Sequence, residues 1–231
     1  MLGQPVDELS PQDACLVEFA QSLTARPWTI RPADLRRLSA AGLSRESIVL
    51  AIGLVAMFNY FTRVADGTGI EADYGTELPG FVYRGVTESA RRPEPAEWPA
   101  VDDSVELLAL LTGVDATWRR WRDYVLDSPA PLPRTTRREL RLIAARNACD
   151  GAIALPDADA ETPARNLPAA LSEFAEKLSR TPWLMAASDV EALRSTGMDD
   201  LSILHVISVV AYQSAESRLR IGLSALARSG D

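Results

Sequence analysis

The sequence predicts an all-α fold in which one three-helix module occurs twice. Apolar residues recur at helical spacing through most of the chain, and no segment alternates with period two for long. Serine or proline starts and glycine stops bracket those stretches, as helix ends require. A block of sequence also returns 155 residues later. Glu18-Phe19-Ala20, Leu23 and Pro27-Trp28 reappear as Glu173-Phe174-Ala175, Leu178 and Pro182-Trp183. The offset holds through Asp34/Asp189, Leu38/Leu193, Gly42/Gly197, Ser47-Ile48/Ser202-Ile203, Val55-Ala56/Val210-Ala211, Arg63/Arg218 and Gly67/Gly222. Register kept over about fifty residues, at both helix ends and core positions, marks an internal duplication of residues 17–67 and 172–222.

The elements follow in order. Ser10 is placed to cap a first helix, with Pro11 at its first position and Asp13 near the positive end of its dipole. Leu16, Phe19, Ala20 and Leu23 form its apolar stripe, and Arg26-Pro27 stops it. A short helix after Pro32 buries Leu35 and Leu38 and ends at Gly42. Ser44 then caps a long helix running to about Asp66, apolar almost all round in its first half and so expected inside the body. Residues 75–102 form a connector, with Pro79, Pro93, Pro95 and Pro99; Phe81, Tyr83 and Trp98 fit a segment lying across the surface. Helices are expected at 104–111, 115–126 and 135–154, and a loop from Pro156 to Pro168 leads into the second module at 168–226. The organisation is an N-terminal repeat (1–74), a proline-rich connector (75–103) and a C-terminal unit (104–231). An apolar third helix needs a cover. The middle helices and a second subunit both supply one, so a homo-oligomer is expected, a symmetric dimer or its multiple.

Composition narrows the function. The chain has 231 residues, a net charge of −8 and a single histidine, His205. A pI near 4.8 argues against nucleic-acid binding, which needs a basic face to displace counterions. Leu35–Ala51 imitates a helix-turn-helix, but its second helix is too apolar to read a groove. One histidine excludes a His-rich metal centre within the chain, and no cofactor is implied. Cys15 and Cys149 stand far apart and form no disulfide framework. The N-terminus carries no secretory pattern, and the longest apolar run, Ile48 to Phe58, falls short of the ~20 residues that span a bilayer. A cytoplasmic protein without membrane or nucleic-acid partners is expected.

The pattern Glu18-Phe19-Ala20-x-x-Leu23-x-x-x-Pro27, Asp34-x-x-x-Leu38-x-x-x-Gly42-Leu43, then Phe58-Asn59-Tyr60-Phe61-x-Arg63-x-Ala65-Asp66-Gly67-x-Gly69, resembles the C-terminal half of peroxidase-related proteins. These belong to the alkylhydroperoxidase D-like and carboxymuconolactone decarboxylase superfamily. Glu173–Gly222 looks like a diverged copy of that half, and Leu107 to Asp150 like the half that normally precedes it. The resemblance implies an AhpD-like helical bundle. It also implies a redox site of paired cysteines, a histidine and an upstream glutamate. This chain departs from that pattern: aligned on Asn147-x-Cys149, it has Ala152 in the second-cysteine slot, Pro156 in the histidine slot and Arg137 in the glutamate slot, with Glu139 two residues out of register. A dithiol cycle needs a resolving thiol, so that activity does not carry over.

Candidate residues admit a functional and a structural reading. Cys149 is either a one-cysteine peroxidatic thiol with Arg146 nearby or a small packed residue; Cys15 is a helix-face residue. His205, Tyr212 and Glu216, at i, i+7 and i+11, share one helix face where the first module has Leu50, Met57 and Phe61. They form either an acid–base set or a hydrogen-bonded polar face. Asn59, Arg63 and Asp66 share a face, and Arg218 matches Arg63; they form either a carboxylate clamp or an Arg–Asp bridge between helices. Trp28 and Trp183 are expected as core or turn anchors, and Trp118 and Trp121 as packing residues at the edge of any pocket. The basic run Arg134–Arg141 reads as a solvated helix start. Three functions stay open: a cofactor-independent acid–base enzyme (lyase, decarboxylase or isomerase) on a small anionic molecule, a non-catalytic helical scaffold or binding protein, and a one-cysteine peroxidase using Cys149.

Overall fold

A computed structural model describes residues 9–70, 92–102, 105–129, 131–154 and 167–230, and every regular element among them is helical. The first module comprises α1 (Pro11–Ala25), a 3-10 turn at Pro27–Thr29, α2 (Pro32–Ala40) and α3 (Arg45–Thr68). A 3-10 stretch at Val105–Leu110 leads to α4 (Val114–Asp127), α5 (Arg134–Ala148) and the short α6 (Gly151–Ala154). The second module comprises α7 (Ala169–Arg180), a 3-10 turn at Pro182–Leu184, α8 (Ala187–Arg194) and α9 (Asp200–Ala227). Pro27, Pro32 and Arg45 open elements in the first module; Pro182, Ala187 and Asp200 open their counterparts 155 residues on.

Local chemistry sets these ends. Ser10 Oγ accepts the Asp13 N–H at 3.1 Å and Ser44 Oγ the Ser47 N–H at 3.2 Å, satisfying donors that a helix start leaves free. Asp34 closes the start of α2 by accepting the Arg31 N–H at 2.8 Å, and Asp189 does the same for Ala186 at 2.7 Å. Gly42 and Gly197 leave α2 and α8 at φ 96° and 90°, where a side chain is strained.

The expected helix over 135–154 breaks at Cys149 and Asp150. Cys149 adopts φ 56°, ψ 40°; its N–H and that of Asp150 bond back to the Arg146 and Ala145 carbonyls. This is a Schellman closure with cysteine where glycine is usual, and the chain restarts as α6. The expected helix over 104–111 is a 3-10 stretch, and Gly113 at φ 79° starts α4. Phe81, Tyr83 and most of the 156–168 loop lie outside the described residues. The end of the connector lies on α9: the Asp102 N–H donates to Ser224 Oγ at 2.9 Å, and Arg228 donates to Asp102 Oδ2 and the Ala100 carbonyl, each at 2.5 Å.

One buried cluster runs from Phe19 in α1 to Leu226 in α9, crossing both modules. Its centre is the packing of α3 on α9. The expectation that α3 lies inside the body holds for one face only. Ile48, Ile52, Ala56, Asn59, Arg63 and Gly67 are buried, while Leu50, Leu54, Phe58 and Phe61 stay exposed. The interior helix is α9, buried almost continuously from Ile203 to Leu226. The reason is coverage: α4 and α5 pack on the outer face of α9 and leave the matching face of α3 bare. The run Ile48–Phe58 thus belongs to a 24-residue helix that meets the length and composition of a bilayer span, a test that core helices also pass.

The α3–α9 contact is reciprocal. A Cβ on Gly222 would lie 2.8 Å from Ile52 Cγ2, and one on Gly67 would lie 3.0 Å from Ile207 Cγ2. Glycine 222 matches glycine 67, and isoleucine 207 matches isoleucine 52, in the 155-residue offset. Each helix therefore seats its isoleucine on the other's glycine. Gly222→Ala is expected to cost about 1–3 kcal/mol by overpacking, read as a lower denaturant midpoint. Ile52→Ala should cost less in that background than alone, because the space it opens takes the new methyl. Strictly additive costs would contradict the contact.

Candidate ligand site

The polar face expected on α9 is present, but its members do separate work. Glu216 is buried and faces two cations, Arg141 Nη2 at 3.3 Å and Arg122 Nε at 3.7 Å. Arg141 Nε also donates to Gln213 Oε1 at 2.8 Å, and Gln213 Nε2 to Ser217 Oγ at 3.1 Å. Tyr212 is fully buried, its hydroxyl unpartnered, against Trp121 (centroids 4.9 Å apart, perpendicular) and Trp118 (5.5 Å). Burial, with Glu216 adding to it, pushes its phenol far above the usual range. His205 is buried beside α4. Burial and the nearby Arg137 lower its pKa against a hydrogen bond to the Val125 carbonyl, and Nδ1 has no partner. Two turns of helix, about 10 Å, separate His205 from Tyr212. The structure brings Glu216 to the arginines, Tyr212 to the tryptophans and His205 to the end of α4, and Glu216 acts on Tyr212 through space.

Trp118, Trp121 and Tyr212 join Tyr60 of α3 in one aromatic cluster, with Tyr60 and Trp121 centroids 4.5 Å apart. The tryptophans of α4 are therefore packing residues, as expected. Trp183 differs: it is half exposed at its 3-10 turn, and Pro182 beside it is the buried member.

Asn59, Arg63 and Arg218 are also together, at the α3–α9 crossing. Arg63 donates to the Asn59 carbonyl (3.0 Å), to Asn59 Oδ1 (2.8 Å) and, across the modules, to the Ser179 carbonyl at the end of α7 (3.2 Å). Arg218 donates to the Ser214 carbonyl (2.7 Å) and, across the modules, to the Thr24 carbonyl at the end of α1 (2.7 and 3.0 Å). Positions 24 and 179, 59 and 214, and 63 and 218 all match in the offset. Each arginine caps the first helix of the other module. The expected Arg63–Asp66 bridge is replaced by these bonds, although Asp66 acts on Arg63 through space. Burial lowers Arg63 to about 10 and holds Arg218 well below the usual arginine range, with Arg63 itself opposing the charge on Arg218. Guanidinium donors spent on carbonyls leave little of the expected carboxylate clamp.

Cys149 is fully buried in its left-handed turn, and burial pushes its thiol up to about 11 despite Arg92 nearby. That burial disfavours the thiolate on which a one-cysteine peroxidase would depend. Its neighbour Asp150 was not legible as a site residue: its only sequence signal is its place after Cys149. It is fully buried, and burial lifts its carboxyl to about 6 against the Ser217 hydroxyl and Arg220, which favour the charged form. Among the described residues, no group of three His, Cys, Asp or Glu side chains could hold a metal ion.

A concave site lies elsewhere among the described residues. A cleft of about 650 Å³ opens between α4, the start of α5 and α6, lined by Arg122, Leu126, Asp127, Arg134, Thr135, Arg137, Arg138, Arg141, Leu142, Ala152 and Ile153. Five arginines face one aspartate there, on a chain of net charge −8. The run expected as a solvated helix start is its basic wall. Arg137 is 3 % exposed, donates to the Ser128 carbonyl and leaves Nε without a partner; Arg134 lies 3.7 Å from Asp127. Glu216 holds Arg122 and Arg141 from behind the wall. The spacing of 134, 137, 138 and 141 on one helical face was the available signal.

Compared with protein-family models, characterised proteins and solved structures, the chain matches none.

The Asp150 environment makes stability depend on pH. Its folded pKa lies above the unfolded value near 4, so its contribution is full below that value and is lost as pH rises through about 6. Asp150→Asn is therefore expected to gain on the wild type by up to about 3 kcal/mol between pH 4 and pH 7. Denaturant midpoints at both pH values check this, and a constant difference would contradict it.

Proposed function

We propose that this protein binds a small anionic molecule in the arginine-lined cleft between α4, α5 and α6. The observation that carries the proposal is the concentration of five of the chain's cations around one concave surface whose lining has one acidic residue, Asp127, with Glu216 paired to two of the five from behind. Guanidinium forks suit carboxylate and phosphate oxygens, and a cleft of this volume suits a small molecule with an apolar portion against Leu126, Leu142 and Ile153. Catalysis has less support than binding. Acid–base work needs a proton carrier within hydrogen-bond reach of the ligand, and His205, Tyr212 and Glu216 do not line the cleft. In this reading Glu216 is a positioning residue: it fixes Arg122 and Arg141 and offsets part of their charge. The second part of the proposal is an origin by duplication of an alkylhydroperoxidase D-like half unit whose thiol chemistry was lost. It is supported by element starts 155 residues apart and by the reciprocal contacts of α3 and α9. A homo-oligomer remains part of the proposal, supported by the bare apolar stripe on α3.

Thermal unfolding with a panel of small carboxylates, sulfonates and phosphates at fixed ionic strength tests the binding proposal. A ligand at a hundred times its Kd stabilises by about 2.7 kcal/mol, which raises Tm by roughly 5–10 °C for a chain of this size. The double variant Arg134→Gln/Arg138→Gln should lose most of that rise. A rise unchanged in the variant, or no rise with any anion, would overturn it.

A further inference from the structure

We propose that two copies of this chain pair through the bare face of α3, packed antiparallel about a two-fold axis near Leu54. This rests on the homo-oligomer reading and names the surface and register of the contact.

The face is long, apolar and uncharged. Leu50, Leu54, Phe58 and Phe61 recur at i, i+4, i+8 and i+11 and stand 47 %, 41 %, 60 % and 54 % exposed. No charged residue occurs between Glu46 and Arg63. Water against such side chains is unfavourable in proportion to their area. They expose on the order of 400 Å² per copy, about half of one side of a standard interface. A pair built on them is a reversible dimer.

Gly53 is the second observation. A glycine inside a helix is costly relative to alanine, and its use is to let another group come close. Gly67 and Gly222 are used in that way, each seating an isoleucine of the facing helix. Gly53 has nothing within 4 Å of the place its Cβ would occupy. With Leu50, Leu54 and Met57 it makes the i, i+3, i+4, i+7 set that forms a hole for a side chain of a neighbouring helix.

The duplication shows what such a hole takes. The matching positions on α9 are His205, Ser208, Val209 and Tyr212. There α4 supplies the cover: Trp118 and Trp121 lie against Tyr212, and the Val125 carbonyl meets His205. A helix is the occupant in the second module. Among the described residues no helix takes that place in the first.

A second copy of α3 fits it. In an antiparallel pair centred on Leu54, each Leu54 enters the partner's hole beside Gly53. Leu50 then meets the partner's Phe58, and Met57 meets the partner's Ala51. Glu46 falls opposite the partner's Thr62, so polar meets polar at both ends. A parallel pair would set Glu46 against its own copy and align the helix dipoles, and both oppose it. The two-fold closes the assembly at two subunits.

Sedimentation velocity on the full chain across the micromolar range tests this, with Gly53→Arg as the first variant. The wild type is expected to pass from monomer to dimer as concentration rises. Open space at Gly53 and a better helix former let the variant fold with an undiminished Tm. Filling the hole should weaken dimerisation about tenfold or more. In a Cys15→Ser background, with Cys149 buried, Leu54→Cys should form an interchain disulfide on mild oxidation. Phe61→Cys should not, because its two copies lie about 20 Å apart in this register. A dimer untouched by Gly53→Arg, or disulfides forming as readily at position 61 as at 54, overturns the α3 pairing and leaves a homo-oligomer standing. A chain monomeric throughout, including one that instead partitions onto phosphatidylcholine vesicles, overturns both.

Discussion

Two buried arginines whose hydrogen bonds go to carbonyl oxygens and not to a carboxylate set the terms for this fold. Arg63 and Arg218 sit at the crossing of α3 and α9, close enough that the charge on one opposes the charge on the other. What compensates them is the backbone: each guanidinium collects carbonyl oxygens, including one at the C-terminal end of the first helix of the opposite module. Helix ends carry unpaired carbonyls and partial negative charge, so the two needs meet. The bonds exist only if α3 and α9 approach closely, and Gly67 and Gly222 permit that approach. Backbone capping and close packing are therefore one constraint seen twice.

From that crossing the asymmetry of the molecule follows. The same helix face is exposed and apolar on α3 and covered and polar on α9. Simple burial arguments predict the opposite, but α9 is covered by helices that bring charge with them. Gln213 and Glu216 receive Arg141, and Glu216 also faces Arg122. The polar residues of α9 thus act as a rear support for arginines whose front faces the cleft. The pair positioned from behind is only part of the wall; Arg134, Arg137 and Arg138 come from the first turns of α5 alone.

Much of the fold was readable from residues. Ser10, Ser44, Gly42 and Gly197 mark ends where the structure has them, and the all-helical class follows from apolar spacing. The break at Cys149 was not readable, because a left-handed cysteine gives no compositional sign; only the hydrogen bonds to Ala145 and Arg146 reveal it. Nor was the interior status of α9, since which of two similar helices is covered depends on where α4 and α5 fold back. The site was less legible than the fold. Glu216, Arg63 and Arg218 are buried polar groups of consequence, as their spacing suggested, but the tasks they perform are pairing and capping. The basic run at 134–141 carried the binding signal and reads as an ordinary charged helix until α4 and α6 close a cleft around it.

Native-state hydrogen exchange followed by mass spectrometry tests the central constraint most directly. If the arginine-capped crossing holds both modules, amides in the middle of α3 and α9 should be the slowest in the molecule. They should also open together, with one free energy equal to that of global unfolding. Arg218→Met should then lower protection in both helices by the same amount. Exchange in α3 that is independent of α9, or a loss of protection confined to the helix carrying the substitution, would contradict the account.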